Sequence, residues 1–218
     1  MAEDPRTAGF LRMIRELDDR HLVGTAGVRE VWLIRHADAY GGLQSLAEGT
    51  VDPPLSPRGR DQAQRLADRL ARVPLHALWA SDLRRARETA EALARERPLE
   101  VRIDARLREV RTFWDEGRER EPLPPGTYPF PEPEAEVVER MRAAVADVAG
   151  ALNGVGSPVP RAAVVTHNGT IAMYLAALLG LGWGQLRLLP LFTSVSVVAV
   201  RGDRAVVRSI GDVTHLAE

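Results

Sequence analysis

Short unbroken runs of apolar residues alternate along the chain with longer segments in which apolar residues recur every three or four positions. Val31–Ile34 is such a run, and it stops abruptly at a polar pair, which is typical of a strand buried on both faces of a parallel sheet. Turn-forming residues at 201–204 join the last two runs, which predicts a closing hairpin with an antiparallel outer strand. The predicted strands are Val31–Ile34, Leu75–Ala80, Val101–Ile103, Ala162–Val165, Val195–Val200 and Ala205–Ile210.

Helical segments separate these runs. Ser56 followed by Pro57 is a favourable helix start, and Ser81 or Asp82 is the predicted N-cap of the next helix, which places Arg85 in its first turn. A short amphipathic helix is also predicted within residues 1–20, and another over Gly169–Leu179. The apolar positions that define the four helices before Gly169 are Phe10, Leu11, Ile14 and Leu17; Ala63, Leu66, Ala67 and Leu70; Leu83, Ala86, Ala90, Leu93 and Ala94; and Val137, Met141, Val145 and Val148.

Strands that alternate with helices predict an α/β fold. We expect a three-layer sandwich with a mostly parallel central sheet, an antiparallel edge strand and flanking helices. The periodicity is lost in residues 110–133, which are crowded with Pro, Gly, Glu and aromatic residues and predict a small loop or helical insertion over the site. The chain therefore divides into an N-terminal helical extension, residues 1–27, and one α/β domain, residues 28–218.

Composition excludes several kinds of chemistry. All 29 basic residues are Arg, 30 acidic residues balance them, and the chain has no Lys and no Cys. Without Lys there is no Walker A loop and no Schiff-base catalysis, and without Cys there are no disulfides, zinc–thiolate sites or thiol nucleophiles. The formal charge of -1 gives no basic field for nucleic acid or an anionic membrane.

The sequence also bears on location. The first residues carry charges where a secretory signal is apolar, and the longest apolar stretch, Ile171–Trp183, is interrupted by Gly180 and Gly182. That stretch is shorter than the roughly 20 apolar residues that span a bilayer. We expect a cytoplasmic protein with no membrane partner.

Polar groups directly follow two of the predicted strands. Arg35 and His36 come after the first strand, and His167 and Asn168 come after the fourth. Both histidines are therefore expected at the carboxyl edge of the sheet, where α/β folds bind ligands. Arg85 adds a guanidinium beside the backbone amides of a helix start. Two imidazoles, two guanidiniums and two helix starts are suited to a phosphate dianion.

Five segments of the chain, in the same order and at similar spacing, resemble the histidine phosphatase superfamily, which includes cofactor-dependent phosphoglycerate mutases and broad-range phosphatases. The resemblance covers nearly everything after residue 28. The matching segments are LIRHADA around His36, LSPRGRDQA at 55–63, ASDLRRARETA at 80–90, LREV at 107–110 and VVTHNGT at 164–170.

The resemblance implies a role for each candidate residue. His36 is the nucleophile that takes the phosphoryl group, and Glu109 is the general acid. The chemistry is consistent with these roles, since an imidazole nucleophile divides hydrolysis into two in-line transfers and a carboxyl group protonates the leaving alkoxide. If Glu109 is not the acid, Asp38, Asp115 and Glu116 are the next candidates. The phosphate-binding residues are Arg35, Arg85, His167 and Asn168.

The chain departs from the superfamily at three positions. Ala37 replaces a Gly that often follows the nucleophile, Ala39 stands where the mutases commonly have Ser, and Gly42 replaces a frequent Asn. These changes weaken the mutase interpretation. The RHADA string also resembles small phosphohistidine protein phosphatases, but these generally lack the acid at Glu109. Its presence here favours phosphate esters.

The predicted function is hydrolysis of small organic phosphate esters through a phosphohistidine on His36. A phosphoglycerate mutase, a phosphohistidine protein phosphatase and a non-catalytic phosphate-binding module are the alternatives. HExxH and Gly-x-Ser-x-Gly motifs are absent, and the Gly-x-Gly pairs do not follow strands, which disfavours a zinc protease, a serine hydrolase and dinucleotide binding. We expect a small phosphorylated metabolite as partner, no nucleic acid, no metal and no cofactor; a homodimer stays open.

The insertion holds aromatic and basic side chains. They either cap the pocket and contact the non-phosphate part of a substrate, or pack the insertion onto the domain. These residues are Phe113, Trp114, Tyr128, Phe130, Arg111, Arg118 and Arg120.

Overall fold

The computed structural model describes residues 4–22, 26–39, 52–95, 97–112, 127–182, 184–186 and 188–217. The strands are β1 (Arg29–Arg35), β2 (Ala77–Ala80), β3 (Val101–Ile103), β4 (Arg161–Thr166), β5 (Val195–Arg201) and β6 (Arg204–Asp212). The α-helices are α1 (Pro5–His21), α2 (Pro57–Leu70), α3 (Arg84–Ala94), α4 (Glu134–Gly150) and α5 (Asn168–Leu178). Short 3-10 turns lie at Ala105–Leu107 and Thr214–Leu216.

The strands form one six-stranded sheet in the order β3-β2-β4-β1-β5-β6. β3, β2, β4 and β1 are parallel, whereas β5 is antiparallel to β1 and β6 to β5. The predicted mostly parallel α/β sheet with an antiparallel edge is confirmed. In the β1–β4 ladder Arg35 is paired with Thr166. His36 and His167, each one residue further along, therefore leave the sheet side by side.

Apolar residues cover both faces of the sheet. Along β1, Leu33 joins a cluster with Met141 of α4 and Ile171 of α5, while the next residue, Ile34, joins a cluster on the other face with Leu66 of α2. This alternation is the period-two pattern of a strand buried on both faces. The result is a sheet held between helix pairs, α4 with α5 and α2 with α3.

Two helix starts next to the site differ in how they are capped. α2 begins as predicted, with the Ser56 hydroxyl accepting from the backbone N–H of Gly59 at 2.9 Å. The prediction that Ser81 or Asp82 caps α3 is wrong, because α3 begins at Arg84 after Leu83, which supplies no side-chain cap. The carboxylate of Asp52 accepts from the Arg84 N–H at 2.7 and 2.9 Å instead. A carboxylate distant in sequence replaces the local cap.

The predicted N-terminal helix is present as α1, and it is attached to the sheet through its carboxyl end. Asp19 forms ion pairs with Arg201 and Arg204 at the β5–β6 hairpin, and Leu22 is fully buried. The apolar stripe itself is exposed, with 59 % of the Phe10 surface accessible. The division of the chain into an extension and a domain stays a prediction.

Much of the predicted insertion, residues 110–133, lies outside the described residues, including Phe113, Trp114, Arg118 and Arg120. Within the described part, the rings of Tyr128 and Phe130 meet edge to face at 5.5 Å and pack beside Val110, Val137 and Met173. These two aromatic side chains therefore pack the insertion onto the domain. No helix in the described ranges combines the length and apolar character needed to cross a bilayer.

Candidate active site

The ends of β1 and β4 bring two histidines together. The rings of His36 and His167 are 5.0 Å apart between centroids and tilted by 57°. The backbone N–H of His36 donates to the carbonyl oxygen of Thr166 at 2.9 Å, which continues the ladder one step past the strand. Both side chains are buried, with 3 % of His36 and none of His167 exposed. The sequence prediction that both histidines reach the same edge is confirmed.

The backbone fixes the orientation of the His36 ring. Nδ1 lies 2.7 Å from the carbonyl oxygen of its neighbour Ala37, so Nδ1 carries the hydrogen and donates it. The lone pair is then on Nε2. Arg85 Nε donates to that lone pair at 3.2 Å. Nε2 of His36 therefore faces a cation and has the electron pair that a nucleophile needs.

Both imidazoles are uncharged near neutral pH. Burial, with the positive charges of Arg85 and Arg35, lowers the pKa of His36 to about 3. Burial also lowers the pKa of His167 well below its usual value, and the neighbouring His36 and Arg85 act in the same direction. A neutral His36 is a competent nucleophile, because protonation would occupy Nε2.

Within the described part of the chain, the polar atoms of His167 have no hydrogen-bond partner. Both ring nitrogens are buried, and neither has a hydrogen-bond partner among the described residues. The side-chain oxygen of Asn168 is in the same situation. A buried polar group without a partner costs about 1–3 kcal/mol, so such groups are expected where a ligand supplies the missing bonds.

Arg35 is held by the segment that precedes β5. Its Nη1 donates to the carbonyl oxygen of Pro190 at 2.7 Å, and its guanidinium carbon lies 3.9 Å from the centre of the Phe192 ring. The Phe192 ring is also 5.8 Å from the His36 ring. Only 7 % of Arg35 is exposed. Sequence reasoning missed Phe192, because it lies in a segment with no motif or periodicity.

Arg85 is positioned from two sides. It is the second residue of α3, and its Nη1 lies 3.6 Å from Asp52, the residue that also caps this helix. One turn further on, the Thr89 hydroxyl donates to the Arg85 carbonyl oxygen at 2.7 Å and accepts from the Ala37 N–H at 3.0 Å. Thr89 thus ties α3 to the segment that carries His36. Thr89 lies in the ASDLRRARETA segment, but its role and that of Asp52 were not predicted.

Glu109 lies at the start of α5, whose N-cap is His167. Its carboxylate accepts from the backbone N–H groups of Gly169 at 3.3 Å and Thr170 at 3.1 Å. A Cβ on Gly169 would lie 2.9 Å from the Glu109 carboxylate and 2.8 Å from Val110, so the glycine allows this close approach. Glu109 is therefore part of the site and not a solvated loop residue.

The other candidate acids differ in position. Asp38 accepts from the Ser56 hydroxyl at 2.8 Å, and its backbone N–H donates to Gln62 at 2.9 Å, so it ties the loop after β1 to α2. Asp115 and Glu116 lie outside the described residues, as does Gly42. Of the two candidate acids within the described residues, Glu109 is the one whose carboxylate binds the start of the helix that His167 caps.

Comparisons with known proteins agree with this geometry. A sequence profile of the histidine phosphatase superfamily, branch 1, matches residues 31–213. The chain is 28 % identical over 208 residues to a protein of Escherichia fergusonii named probable phosphoglycerate mutase GpmB, covering 86 % of this chain and 94 % of the relative. The corresponding Citrobacter koseri protein is 29 % identical over 208 residues, with the same coverage.

Two solved structures have a similar fold. Bacillus stearothermophilus YhfR superposes with a TM-score of 0.69 at 27 % identity, covering 87 % of this chain and 100 % of that one. The mycobacterial glucosyl-3-phosphoglycerate phosphatase superposes with a TM-score of 0.69 at 27 % identity, covering 85 % and 100 %. The profile match spans most of the chain, including β1, β4 and all five resembling segments. The chain belongs to the histidine phosphatase superfamily, branch 1, and is an enzyme with phosphatase activity.

Proposed function

We propose that this enzyme hydrolyses small organic phosphate monoesters in two in-line phosphoryl transfers, with a phosphohistidine on Nε2 of His36 between them. The observation that supports this most is the pairing of two buried, uncharged imidazoles 5.0 Å apart, with Arg85 donating to the nucleophilic nitrogen. A negatively charged phosphoryl group between these side chains gains the bonds that His167 lacks internally.

In the first transfer, the Nε2 lone pair of His36 forms a bond to phosphorus as the bond from phosphorus to the ester oxygen breaks. Arg35 and Arg85 stabilise the charge on the equatorial oxygens, and His167 with Asn168 completes the phosphate site. Nδ1 of His36 keeps its hydrogen and continues to donate it to the Ala37 carbonyl oxygen. This hydrogen bond stabilises the positive charge that develops on the ring.

Glu109 transfers a proton in both steps, as the acid in the first and as the base in the second. It donates a proton to the departing alkoxide in the first transfer and so releases the alcohol. In the second transfer the Glu109 carboxylate takes a proton from a water molecule, whose oxygen attacks phosphorus as the P–N bond breaks. Inorganic phosphate leaves and His36 regains its lone pair.

The substrate we propose is a small phosphorylated metabolite. The similar proteins are named for phosphoglycerate and for glucosyl-3-phosphoglycerate, in which the phosphate is an ester. The position of Glu109 at the start of α5 supports esters over phosphohistidine, because an alkoxide leaving group needs a proton. A phosphoglycerate mutase is the second candidate, supported by the names of the relatives.

Labelling with a ³²P-phosphate ester tests the mechanism. Enzyme quenched during turnover should carry label in a P–N bond that is labile in acid and stable in base, and His36→Ala should carry none. Activity should survive excess chelator, since no step uses a metal. Transfer of the label to water identifies a phosphatase, and transfer to a second hydroxyl of phosphoglycerate identifies a mutase. Wild-type turnover by His36→Ala would overturn the assignment.

A further inference from the structure

The turn that precedes β5 is strained and lies against Arg35. Thr193 has φ +57°, an uncommon left-handed conformation for a β-branched residue, and it is fully buried. Its backbone N–H donates to the Arg35 carbonyl oxygen at 3.0 Å, and the Arg35 N–H donates to the carbonyl oxygen of Ser194 at 3.2 Å. Phe192, the residue before Thr193, is the side chain that stacks on the Arg35 guanidinium. The conformation of this turn therefore sets the surface against which Arg35 lies.

A histidine near the carboxyl end of the chain contacts this turn. His215 lies in the 3-10 turn Thr214–Leu216, and its Nε2 is 2.9 Å from Thr193 Oγ1. The Thr193 hydroxyl donates its own hydrogen to the Phe192 carbonyl oxygen at 2.7 Å. Oγ1 must therefore accept from His215, which places the imidazole hydrogen on Nε2.

The other ring nitrogen of His215 faces a cation. Nη1 of Arg69, on α2, lies 3.1 Å from Nδ1, and because a guanidinium has no acceptor, Nδ1 accepts this bond. Arg69 also pairs with Asp212 at the end of β6, whose carboxylate accepts from the N–H and the hydroxyl of Thr214, each at 3.0 Å. The bond that Nδ1 accepts from Arg69 thus requires the neutral form of His215.

We propose that His215 is a positioning residue for Arg35: its hydrogen bond to Thr193 holds the strained turn that seats Phe192 against the guanidinium. The inference rests on the proposed function, because that function assigns Arg35 to the phosphate. No step of the proposed reaction involves His215 directly, so it acts through the turn.

The proposal carries a pH dependence. Burial and the nearby Arg69 lower the pKa of His215, and Asp212 acts in the opposite direction. A proton added at Nδ1 would remove the acceptor for Arg69 and place two positive groups against each other. Acidification should therefore destabilise the turn and weaken the binding of phosphate by Arg35.

The test compares His215→Ala with His215→Gln. Glutamine can donate to Thr193 and accept from Arg69, but it takes up no proton in this range. We expect His215→Ala to raise the inhibition constant for inorganic phosphate about tenfold, as misplacement of a substrate-positioning group does. His215→Gln should restore wild-type phosphate affinity near neutral pH. Because the pKa of His215 is lowered, the ratio of kcat/KM of wild type to that of His215→Gln should fall only at a pH below the ordinary titration range of a free imidazole.

A second variant separates positioning from stability. Thr193→Gly accepts the left-handed φ without strain but lacks the hydroxyl, so it disconnects His215 from the turn. In that background, His215→Ala should cause no further loss of phosphate affinity. His21→Gln, an exposed substitution on α1, is the matched control and should leave phosphate affinity unchanged.

The outcomes distinguish the two proposals. If His215→Ala lowers Tm but keeps wild-type phosphate affinity, or if its effect adds fully to that of Thr193→Gly, the positioning role is wrong. If the wild-type enzyme hydrolyses no phosphate ester through His36, the proposed function fails instead, and phosphate binding by calorimetry still reports on His215 in the same variants.

Discussion

The Arg85 side chain contacts both His36 and Asp52: it donates to Nε2 of His36 and lies 3.6 Å from Asp52. If its main task is to stabilise the transferring phosphoryl group, Arg85→Ala should lower kcat/KM by about 3 kcal/mol, or two orders of magnitude, as loss of one oxyanion donor does. Steady-state kinetics with p-nitrophenyl phosphate measures this.

A second substitution, Arg85→Lys, tests whether a positive charge alone is sufficient. A lysine keeps the charge but not the planar pair of donors, so it should recover only part of the loss. A loss below threefold in Arg85→Ala would show that Arg85 makes no important contact with the phosphate in the transition state.

The second prediction at this scale concerns Glu109. An alkyl phosphate releases a strongly basic alkoxide that needs a proton in the transition state, whereas p-nitrophenolate leaves readily without one. Glu109→Gln should therefore slow hydrolysis of an alkyl ester by about a hundredfold or more and affect p-nitrophenyl phosphate much less. The measurement is kcat/KM for the two substrates with each enzyme, because kcat/KM reports on the first transfer. By contrast, kcat also includes the second transfer, in which Glu109 acts on water for both substrates alike.

Equal slowing of both substrates would assign Glu109 to structure or to phosphate binding. Its bonds to the N–H groups of Gly169 and Thr170 make a structural contribution measurable as a change in Tm. Gln keeps one oxygen acceptor and the same shape, so it is the least disruptive replacement.

Three residues that sequence reasoning identified, His36, His167 and Arg85, share one property: each directly follows a strand or lies in the first turn of a helix. His36 and His167 follow adjacent parallel strands, and Arg85 begins a helix, so the fold class alone predicts that they meet. Phe192 and Thr193 lie in an irregular segment, and Asp52 reaches α3 from another part of the chain. Their contacts depend on tertiary structure and leave no local pattern in the sequence.

At the scale of elements, α2 packs against the loop after β1 through a glycine. A Cβ on Gly59 would lie 1.9 Å from the Asp38 carbonyl oxygen, which is a backbone atom and cannot rotate away. Gly59→Ala should therefore lower the free energy of unfolding by about 2 kcal/mol or more. It should also lower activity, because Asp38 follows His36 by two residues. Urea unfolding and kcat/KM measure the two effects.

Gly150→Ala is the matched control for Gly59→Ala. Gly150 is the last residue of α4, and a Cβ there would meet nothing within 4 Å. Alanine should stabilise the protein by up to about 1 kcal/mol through its higher helix propensity. Equal effects of the two substitutions would show that the contact between Gly59 and Asp38 is not restrictive.

The elements themselves were predicted best where apolar periodicity and a cap agree. Ser56 and Pro57 mark the start of α2 correctly, because both signals are local. The start of α3 was misplaced because Asp52 caps it from outside the helix. The stripe of α1 was recognised, but periodicity alone does not show that Phe10 is exposed.

At the scale of the whole molecule, the fold buries polar groups at the carboxyl ends of the central strands. His36 and His167 leave the sheet there and are almost fully buried, so water has little access to a charged ring. The same burial that keeps His36 uncharged near neutral pH also links stability to pH. An unfolded chain has no such burial, so its histidines titrate near pH 6.5.

The direction of this linkage follows from the pKa of His36, which is about 3 in the folded protein. Between that value and about pH 6.5 the unfolded chain binds more protons than the folded protein, so the free energy of unfolding falls as the pH falls. The slope is up to about 1.4 kcal/mol per pH unit for each such histidine, and His167 and His215 shift in the same direction. Paired carboxylates add their own loss as the pH falls below about 5.

Urea unfolding between about pH 5 and 7 therefore isolates the histidines. The wild-type free energy of unfolding should decline steadily below about pH 6.5, and His36→Asn, which has no titrating ring, should decline less steeply by about one proton equivalent. His21→Gln, exposed on α1, should follow the wild type. A flat wild-type profile, or a His36→Asn profile parallel to it, would show that folding does not lower the pKa of His36. The folded ring would then take up a proton below about pH 6.5, and a protonated His36 could not act as the nucleophile.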